Sequence, residues 1–497
     1  MTQQMAQTAQ AAAGRRISRV VFVGLLLDIL AFTVILPLLP RSLEAYKARE
    51  GADPATLLGR VLGAIAAQRA RLQAASASRF LRLGERADLV LLGGLLGSLY
   101  SLLQCLVAPA IGRAADRFGR RRTLMACMAG NLAWTVMWVF AGSFETFLAA
   151  RVVAGLSEGN VQLSNTIIAD VTDPAARSHG MALVGIAFAV GFTLGPSIGA
   201  YFARLLPLEP ASAAYAPFAA AALFSLALLV AESLYLYINL PETLGYNNGS
   251  SSNRAPAAAE AKKPPKTARP PVLRRLNALH FAYLFFFSGM EYTLTFLTHD
   301  RFGFSNAQQG RLLGFIGVVS TLLQGGWVRR AKGRSAHRDR GLVATGMAAC
   351  AAGLLCVALC CCGPATATTA ASDGALQAAP PSPPLLLWAG ALGFAVASAT
   401  VVNCLNSMVS LVCTAADTGS RLGDFRSAGQ VGRALGPLFA CSVYWLLGPA
   451  TCYFVGAAAI ALVALSFAVL VPAAAAAAAA VSAAVSAAAG SAEKKVQ

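Results

Sequence analysis

Charge is what this sequence has least of. Only 12% of its 497 residues are Asp, Glu, Lys or Arg, about half the share carried by soluble domains. A chain this poor in charge and 57% hydrophobic has more apolar surface than a water-soluble core can hide, which excludes an ordinary globular enzyme. Histidine is nearly missing, with 4 residues, and the 11 cysteines form no Cys-x-x-Cys pair. That argues against a disulfide or zinc framework. Thiols such as Cys105, Cys127, Cys356 and Cys441 sit inside apolar stretches and read as small hydrophobic fillers. No Gly-Lys dipeptide occurs anywhere, so no P-loop is available to cradle a nucleotide, and ATP-driven work by this chain alone is not expected. No cofactor, metal site or enzymatic activity is expected either.

What the chain has in quantity is long, continuous apolar stretches. They do not alternate at period two, so the expectation is transmembrane helices and not a barrel, the two structures that satisfy backbone polar groups in hydrocarbon. Twelve stretches of about twenty residues are long enough to span a bilayer. They cover 20–39, 89–111, 123–141, 144–169, 180–203 and 217–240, then 276–297, 311–328, 342–362, 385–412, 428–447 and 450–470. The first is too long for a cleavable signal peptide and carries Asp28 in its middle.

The formal charge of +18 could suit nucleic acid, but its placement suits a membrane instead. Arg15, Arg16 and Arg19, the run from Arg113 to Arg122, Lys262 to Arg275, Arg329 to Arg340, and Lys494 with Lys495 all fall on one side of the span pattern. The short loops around Gly142 and over 363–384 hold no Lys or Arg. By the positive-inside rule both termini are expected in the cytoplasm, in a plasma or an organelle membrane. Loop 41–86 is basic yet external, as long loops can be; Leu58, Leu62, Ile65 and Leu72 recur there at helical spacing, which fits a helix on the bilayer surface or a solvated loop equally. Residues 241–275 are rich in Pro, Ser, Ala and Lys without periodicity and read as a flexible cytoplasmic linker. The expected organisation is thus a six-helix half over 1–240, the linker over 241–275, a second six-helix half over 276–472 and an Ala-rich tail over 473–497. Asn248 opens a glycosylation sequon on the wrong side for use.

The two halves echo each other. Gly191, Gly195 and Pro196 in the fifth span recur as Gly432, Gly436 and Pro437 in the eleventh, and Gly97 with Gln104 matches Gly317 with Gln324. Such duplication points to a transporter whose site lies between repeats. After the second span the chain reads Gly112-Arg113-Ala114-Ala115-Asp116-Arg117-Phe118-Gly119-Arg120-Arg121. This resembles the G-x3-D-R-x-G-R-R signature of the major facilitator superfamily; a degenerate copy from Gly326 to Arg334 puts Arg330 where the acid belongs. Asp28 followed by Pro37-Leu38-Leu39-Pro40, Arg151 with Gly155, and Gly191 through Gly199 resemble motifs of the tetracycline/proton antiporters, although Ala200 replaces the last motif's final glycine. The resemblance implies a twelve-helix fold of two pseudo-symmetric halves working as a monomer by alternating access. It also implies a gating role for Gly112, Asp116, Arg117, Gly119, Arg120 and Arg121, with Asp116 clamping the halves near the start of the eleventh helix around Gly423 to Gln430.

Charged side chains at bilayer depth cost about 2.5–3.5 kcal/mol each on insertion scales, so each needs a reason. Asp28, Arg151, Glu158, Glu232, Glu291 and Arg433 all fall inside the spans. Arg151, Gly155, Glu158, Gln162 and Asn165 recur at three- and four-residue steps, one polar face of the fourth helix. Asn403, Asn406, Ser407 and Ser410 do the same in the tenth. The substrate and proton pathway is therefore expected to involve Asp28, Arg151, Glu158, Gln162, Glu291 and Asn403, with Arg151 holding an anion or pairing with Glu158. The same residues could instead serve interhelical hydrogen bonding. Gly191, Gly195, Pro196, Gly199, Gly432, Gly436 and Pro437 are expected to pack helices closely. His299 beside Asp300 is a weaker candidate for proton relay. The expected partners are the lipid bilayer, a small solute and protons, and no nucleic acid. The expected activity is proton-coupled efflux or exchange of a small organic ion or drug-like solute. Facilitative organic-anion uniport, or a non-transporting receptor or scaffold of the same fold, stays open as the alternative.

Overall fold

The structure is a computed structural model describing residues 2–35, 38–75, 85–173, 176–205, 219–246, 271–304, 306–330, 335–362, 385–414 and 416–471. The elements among them are all helical. The first half runs α1 (Thr2–Ile35), α2 (Leu39–Glu50), α3 (Leu57–Ala75), α4 (Glu85–Phe118), α5 (Arg120–Val139), α6 (Phe144–Ser157), α7 (Asn160–Val171), α8 (Arg177–Leu205) and α9 (Ala219–Asn239). The second runs α10 (Pro271–Phe302), α11 (Asn306–Leu323), a π-helical turn (Gln324–Val328), α12 (Ser335–Cys362), α13 (Leu385–Val412), α14 (Thr418–Leu447) and α15 (Pro449–Leu470).

Eight helices among the described residues are long and apolar enough to cross a membrane on length and composition. The other four spans are α5, the pair α6 and α7, α10 and α14. They are short, broken or loaded with polar residues such as Glu291, Arg426 and Arg433. Each half buries its own apolar core. One core cluster runs from Leu273 to Val471 with only Ala182 from the first half, and three others lie wholly within the first half.

Four expectations change. The fourth span is not one helix: α6 ends at Ser157, Glu158 and Gly159 are non-helical, and α7 restarts at Asn160. Arg151 and Gln162 therefore do not share a continuous polar face. The eighth span widens into the π-helical turn after Leu323, a local distortion often found at functional sites. In loop 41–86, α2 and α3 pack onto the bundle. Tyr46 and Leu58 are fully buried, Leu62 is buried, and the Tyr46 hydroxyl donates to the Ala141 carbonyl at 2.6 Å. That is neither a surface-lying helix nor a solvated loop, because the apolar stripe found a protein surface to bury against. Finally, α10 begins at Pro271, inside the expected linker. At the linker's other end Glu242 accepts from the Arg120 backbone N–H at 2.8 Å. Residues 247–270, with the Asn248 sequon, and the tail over 472–497 lie outside the described residues.

The paired glycine motifs do the same job in both halves. In α8, Gly191 faces Ile29 and Gly195 faces Thr33 of α1, and Thr33 donates to the Gly191 carbonyl at 3.0 Å. In α14, Gly432 and Gly436 meet the backbone of α10 at Phe281 and Phe285. Pro196 and Pro437 lie within these helices, and Gly199 is buried. A Cβ on Gly432 would come within 2.7 Å of the Phe281 carbonyl oxygen and 2.9 Å of the Phe285 nitrogen, neither of which can rotate away. Gly432→Val is therefore expected to cost about 1–3 kcal/mol of overpacking. A clear fall in Tm and in monodisperse yield from detergent is the measurable result; an unchanged Tm would show that α10 and α14 tolerate separation.

Candidate functional site

Charges inside the spans converge between the halves. Asp28 of α1 is buried and accepts a hydrogen bond from Asn160 Nδ2 at 2.9 Å. Glu158, in the break between α6 and α7, accepts from the Tyr100 hydroxyl at 3.3 Å. Its other oxygen faces Arg426 Nη2 of α14 at 3.9 Å. Arg426 also donates to Gln104 Oε1 of α4 at 3.1 Å. Seven residues along the same face of α14, Arg433 lies within electrostatic reach of both Arg426 and Glu291 of α10. Glu291 and Arg433 are not covered by other parts of the chain although they sit in the middle of their helices. Two carboxylates of the first half, Asp28 and Glu158, thus stand toward two guanidiniums of the second, Arg426 and Arg433, with Glu291 beyond them. Non-helical backbone at Glu158 is tolerated at this depth because it is enclosed by protein and borders the charged site.

Arg151 is not the cation of this network. Its guanidinium lies over the rings of Trp138 at 5.2 Å, Phe147 at 5.5 Å and Trp134 at 6.0 Å, and it forms no ion pair among the described residues. Cation–π attraction in a desolvated setting stabilises it there by about 2 kcal/mol. The expected pairing of Arg151 with Glu158 fails because the helix break turns the Glu158 carboxylate toward α4 and α14. Gln162 and Asn403 also stand apart from the charges. Gln162 donates to the Ala108 carbonyl at 3.0 Å, where α4, α7 and α14 cross. Asn403 packs with Gln324 of the π-helical turn against Gly185 of α8.

Toward the end of the bundle that bears the arginine-rich loop, the halves are bolted together. Asp116 accepts from the backbone N–H groups of Gly419 at 2.9 Å and Ser420 at 2.7 Å, the first turn of α14. The clamp therefore falls a turn earlier than the expected Gly423 to Gln430, because α14 already starts at Thr418. Arg120, fully buried, ties Asp116 at 2.5 Å to Asp170 of α7 at 2.8 Å. Gly112 lets α4 approach Gly419 backbone to backbone, and Gly119 has φ +102°, open to glycine without strain. Arg121 donates to the Tyr237 carbonyl at 2.6 Å, while Arg117 is exposed over the Phe118 ring at 5.1 Å. Two further ties join the halves here. Arg177 of α8 donates to the Ser410 carbonyl at 2.8 Å, and His179 meets the Arg329 carbonyl.

The Major Facilitator Superfamily profile matches residues 21–437. The chain belongs to the major facilitator superfamily. It is 38% identical over 458 residues to human major facilitator superfamily domain-containing protein 10, covering 88% of this chain and 90% of that protein. The mouse protein of the same name is 37% identical over 462 residues, covering 89% and 90%. The Escherichia coli class E tetracycline resistance protein is 28% identical over 271 residues, 54% of this chain and 62% of that one. Among solved structures, the human organic anion transporter MFSD10 (TETRAN) superposes with a TM-score of 0.74 at 35% identity, covering 91% of this chain and 99% of that chain. The E. coli fucose:proton symporter FucP superposes at 0.62 with 10% identity, covering 91% and 98%, a likeness of fold alone.

As a major facilitator protein the chain is a multi-pass integral membrane transporter of small solutes and not an enzyme. Sequence reasoning missed several residues that the superfamily fold assembles. Arg426 lay two residues outside the expected eleventh span, because Arg421, Asp424 and Arg426 made that stretch look like a loop. Tyr100 and Asn160 carried no charge to attract notice. Asp339, fully buried at the start of α12, accepts from Ser407 at 2.7 Å; it sits beside the degenerate second signature, which has no acid of its own.

Proposed function

We propose that this major facilitator protein is a secondary active transporter that moves a small organic ion or drug-like solute by alternating access, coupled to protons, as efflux or exchange. The observation that carries this reading is the pairing of Glu158 from the first half with Arg426 from the second. An ion pair shared by two moving bodies must be broken or re-formed as they rock, so its protonation and occupancy are linked to their arrangement. The relative named as an organic anion transporter and the two guanidiniums, Arg426 and Arg433, together favour an anion as the solute. A solute carboxylate on Arg426 displaces Glu158, and a proton on Glu158 removes the uncompensated charge. Anion and proton then travel together, giving efflux from the more acidic compartment. The charge network is complete within one chain, which supports a working monomer. The basic end, with both termini, faces the cytoplasm.

The test is flux of radiolabelled benzoate, p-aminohippurate, fluorescein and tetracycline into liposomes holding the purified protein, with and without an imposed pH gradient. Transport of a probe that follows the gradient supports the reading. Flux indifferent to the gradient but lost in Arg426→Ala would establish anion uniport instead, and no flux of any anion would favour a receptor or scaffold. Topology is checked separately. A single cysteine at the exposed Arg122 is expected to react with an impermeant maleimide only from the cytoplasmic side; external labelling would invert the orientation.

A further inference from the structure

Glu232 lies in the middle of α9, outside the helices that meet at the interface between halves, and it is 1% exposed. Its level in the fold follows from the antiparallel packing of α9 on α1. Gly24 of α1 packs on Leu236, while seven residues further along α1 Ala31 clusters with Leu229, seven residues back along α9. Ser225 continues the pairing by donating to the Ala31 carbonyl at 2.8 Å. Midway between these contacts stand Asp28 on α1 and Glu232 on α9, at one level of the α1–α9 seam and within electrostatic reach of each other. Met128 of α5 closes the same layer and touches Asn160, whose amide holds Asp28.

Among the described residues, no cation acts on Glu232. The groups acting on it are Asp28 and Glu158, both acids. From α5 the titratable neighbour of this layer is the Cys127 thiol, which faces the same two acids. The span of α8 contributes no titratable side chain between Gly180 and Gly199, and Arg19, Arg122 and Arg177 all lie toward the basic end of their helices. Glu232 Oε2 has no hydrogen-bond partner, and neither does Asn160 Oδ1 beside Asp28 or Asn131 Oδ1 on α5, one turn from Met128. The donors of this layer, the Asn160 amide and the Ser225 hydroxyl, are spent on Asp28 and the Ala31 carbonyl, so the layer holds more acceptors than donors, and burying an unpaired carboxylate is costly. No three Asp, Glu, His or Cys among the described residues converge on one metal position, so the deficit fits protons better than a chelated ion. Accessibility falls in steps along the three acids, from Glu158 with its side chain 14% exposed, through Asp28 at 6%, to Glu232 at 1%.

We propose that Glu232 is a proton-carrying residue of the transport cycle, filled and emptied through Asp28. This rests on the proton-coupled reading given above. In the step, the proton leaves a carboxyl oxygen of Asp28 and adds to a carboxylate oxygen of Glu232. Asp28 is left ionised within reach of Arg426, and the net charge of the pair is unchanged. Glu232 is a store behind the site and not a solute contact, so it lets the transporter hold a proton while Glu158 and Asp28 engage the other half.

Infrared difference spectra of the purified protein in liposomes, taken without solute between about pH 5 and about pH 9, read carboxyl protonation directly. The wild type is expected to show a buried-carboxyl band that changes with pH and is missing in Glu232→Gln, an isostere of the protonated acid that preserves the fold. A Glu232 band that is constant at every pH, or no band lost in Glu232→Gln, would overturn the assignment. Accumulation of whichever of the four probes the wild type carries gives the second readout. Losing one co-moving proton lowers steady-state accumulation about tenfold at a gradient of one pH unit. Wild-type flux indifferent to the gradient overturns proton coupling and this proposal with it. Gradient-driven flux that is unaltered in Glu232→Gln overturns the Glu232 assignment alone.

Discussion

Asp116→Asn is expected to cut turnover at least about tenfold while the protein still folds and reaches the membrane. The native carboxylate takes two backbone N–H groups of α14 and the Arg120 guanidinium on two oxygens. Hydrogen bonds to a charged group contribute about 1.5–3 kcal/mol each, and the helix amino terminus favours an anion by about 0.3–2 kcal/mol more. An asparagine keeps one acceptor and turns its NH2 toward another donor, so about 2–4 kcal/mol of closure is lost. A change of that size moves a two-state equilibrium by roughly thirtyfold to a thousandfold. The basic end then stays open, and a carrier that cannot close one end cannot cycle. Spin-label distances across that end should lengthen in the mutant as turnover falls. Unchanged distances with normal turnover would sink the clamp and leave the basic loop as a topology signal alone. The fold itself does not depend on this clamp, since each half has its own core.

Glu158→Gln should give the second large effect, of a different kind. Exchange of solute across the membrane should survive, while accumulation driven by a pH gradient should collapse from about tenfold per pH unit to none. The amide preserves the contact with Tyr100 but cannot take or release a proton, and it leaves Arg426 with Gln104 as its close partner. Arg426 then holds an anionic solute without competition, so apparent affinity should rise as coupling is lost. Arg426→Ala is the counterpart and should abolish binding. Gradient-driven accumulation that persists in Glu158→Gln would sink this account and shift attention to Asp28 and Glu291.

Much of the fold was readable because hydrocarbon imposes few choices. Span length, loop charge and the repeated glycine motifs each follow from a single constraint, and so the two six-helix halves and close helix packing at Gly191 and Gly432, though not which helices they meet, could be anticipated. Asp28, Glu158 and Glu291 stood out for a related reason: a charge at bilayer depth is conspicuous. Pairing was harder to read. Arg151 and Glu158 are seven residues apart and look like partners on any continuous helix, yet two non-helical residues redirect one of them. Arg426 hid in a polar approach to a helix, where sequence gives no means of telling a loop from a buried N-terminal turn. The role of α2 and α3 was equally hidden, since an amphipathic stripe does not say whether lipid, water or protein will cover it.

The interruption at Glu158 and Gly159 also bears on how well the membrane is insulated. An unbroken rod would pass any tilt at one rim of the protein straight to the other. Two short rods joined by two residues need not move together. The rod that carries the Arg151 aromatic box can follow its own rim, while the rod that bears Asp170 in its last turn stays held by Arg120. One rim can therefore shut before the other lets go, as a carrier that opens to one side at a time requires. On the proton-coupled reading proposed for this protein, its cargo can then cross without short-circuiting the driving gradient.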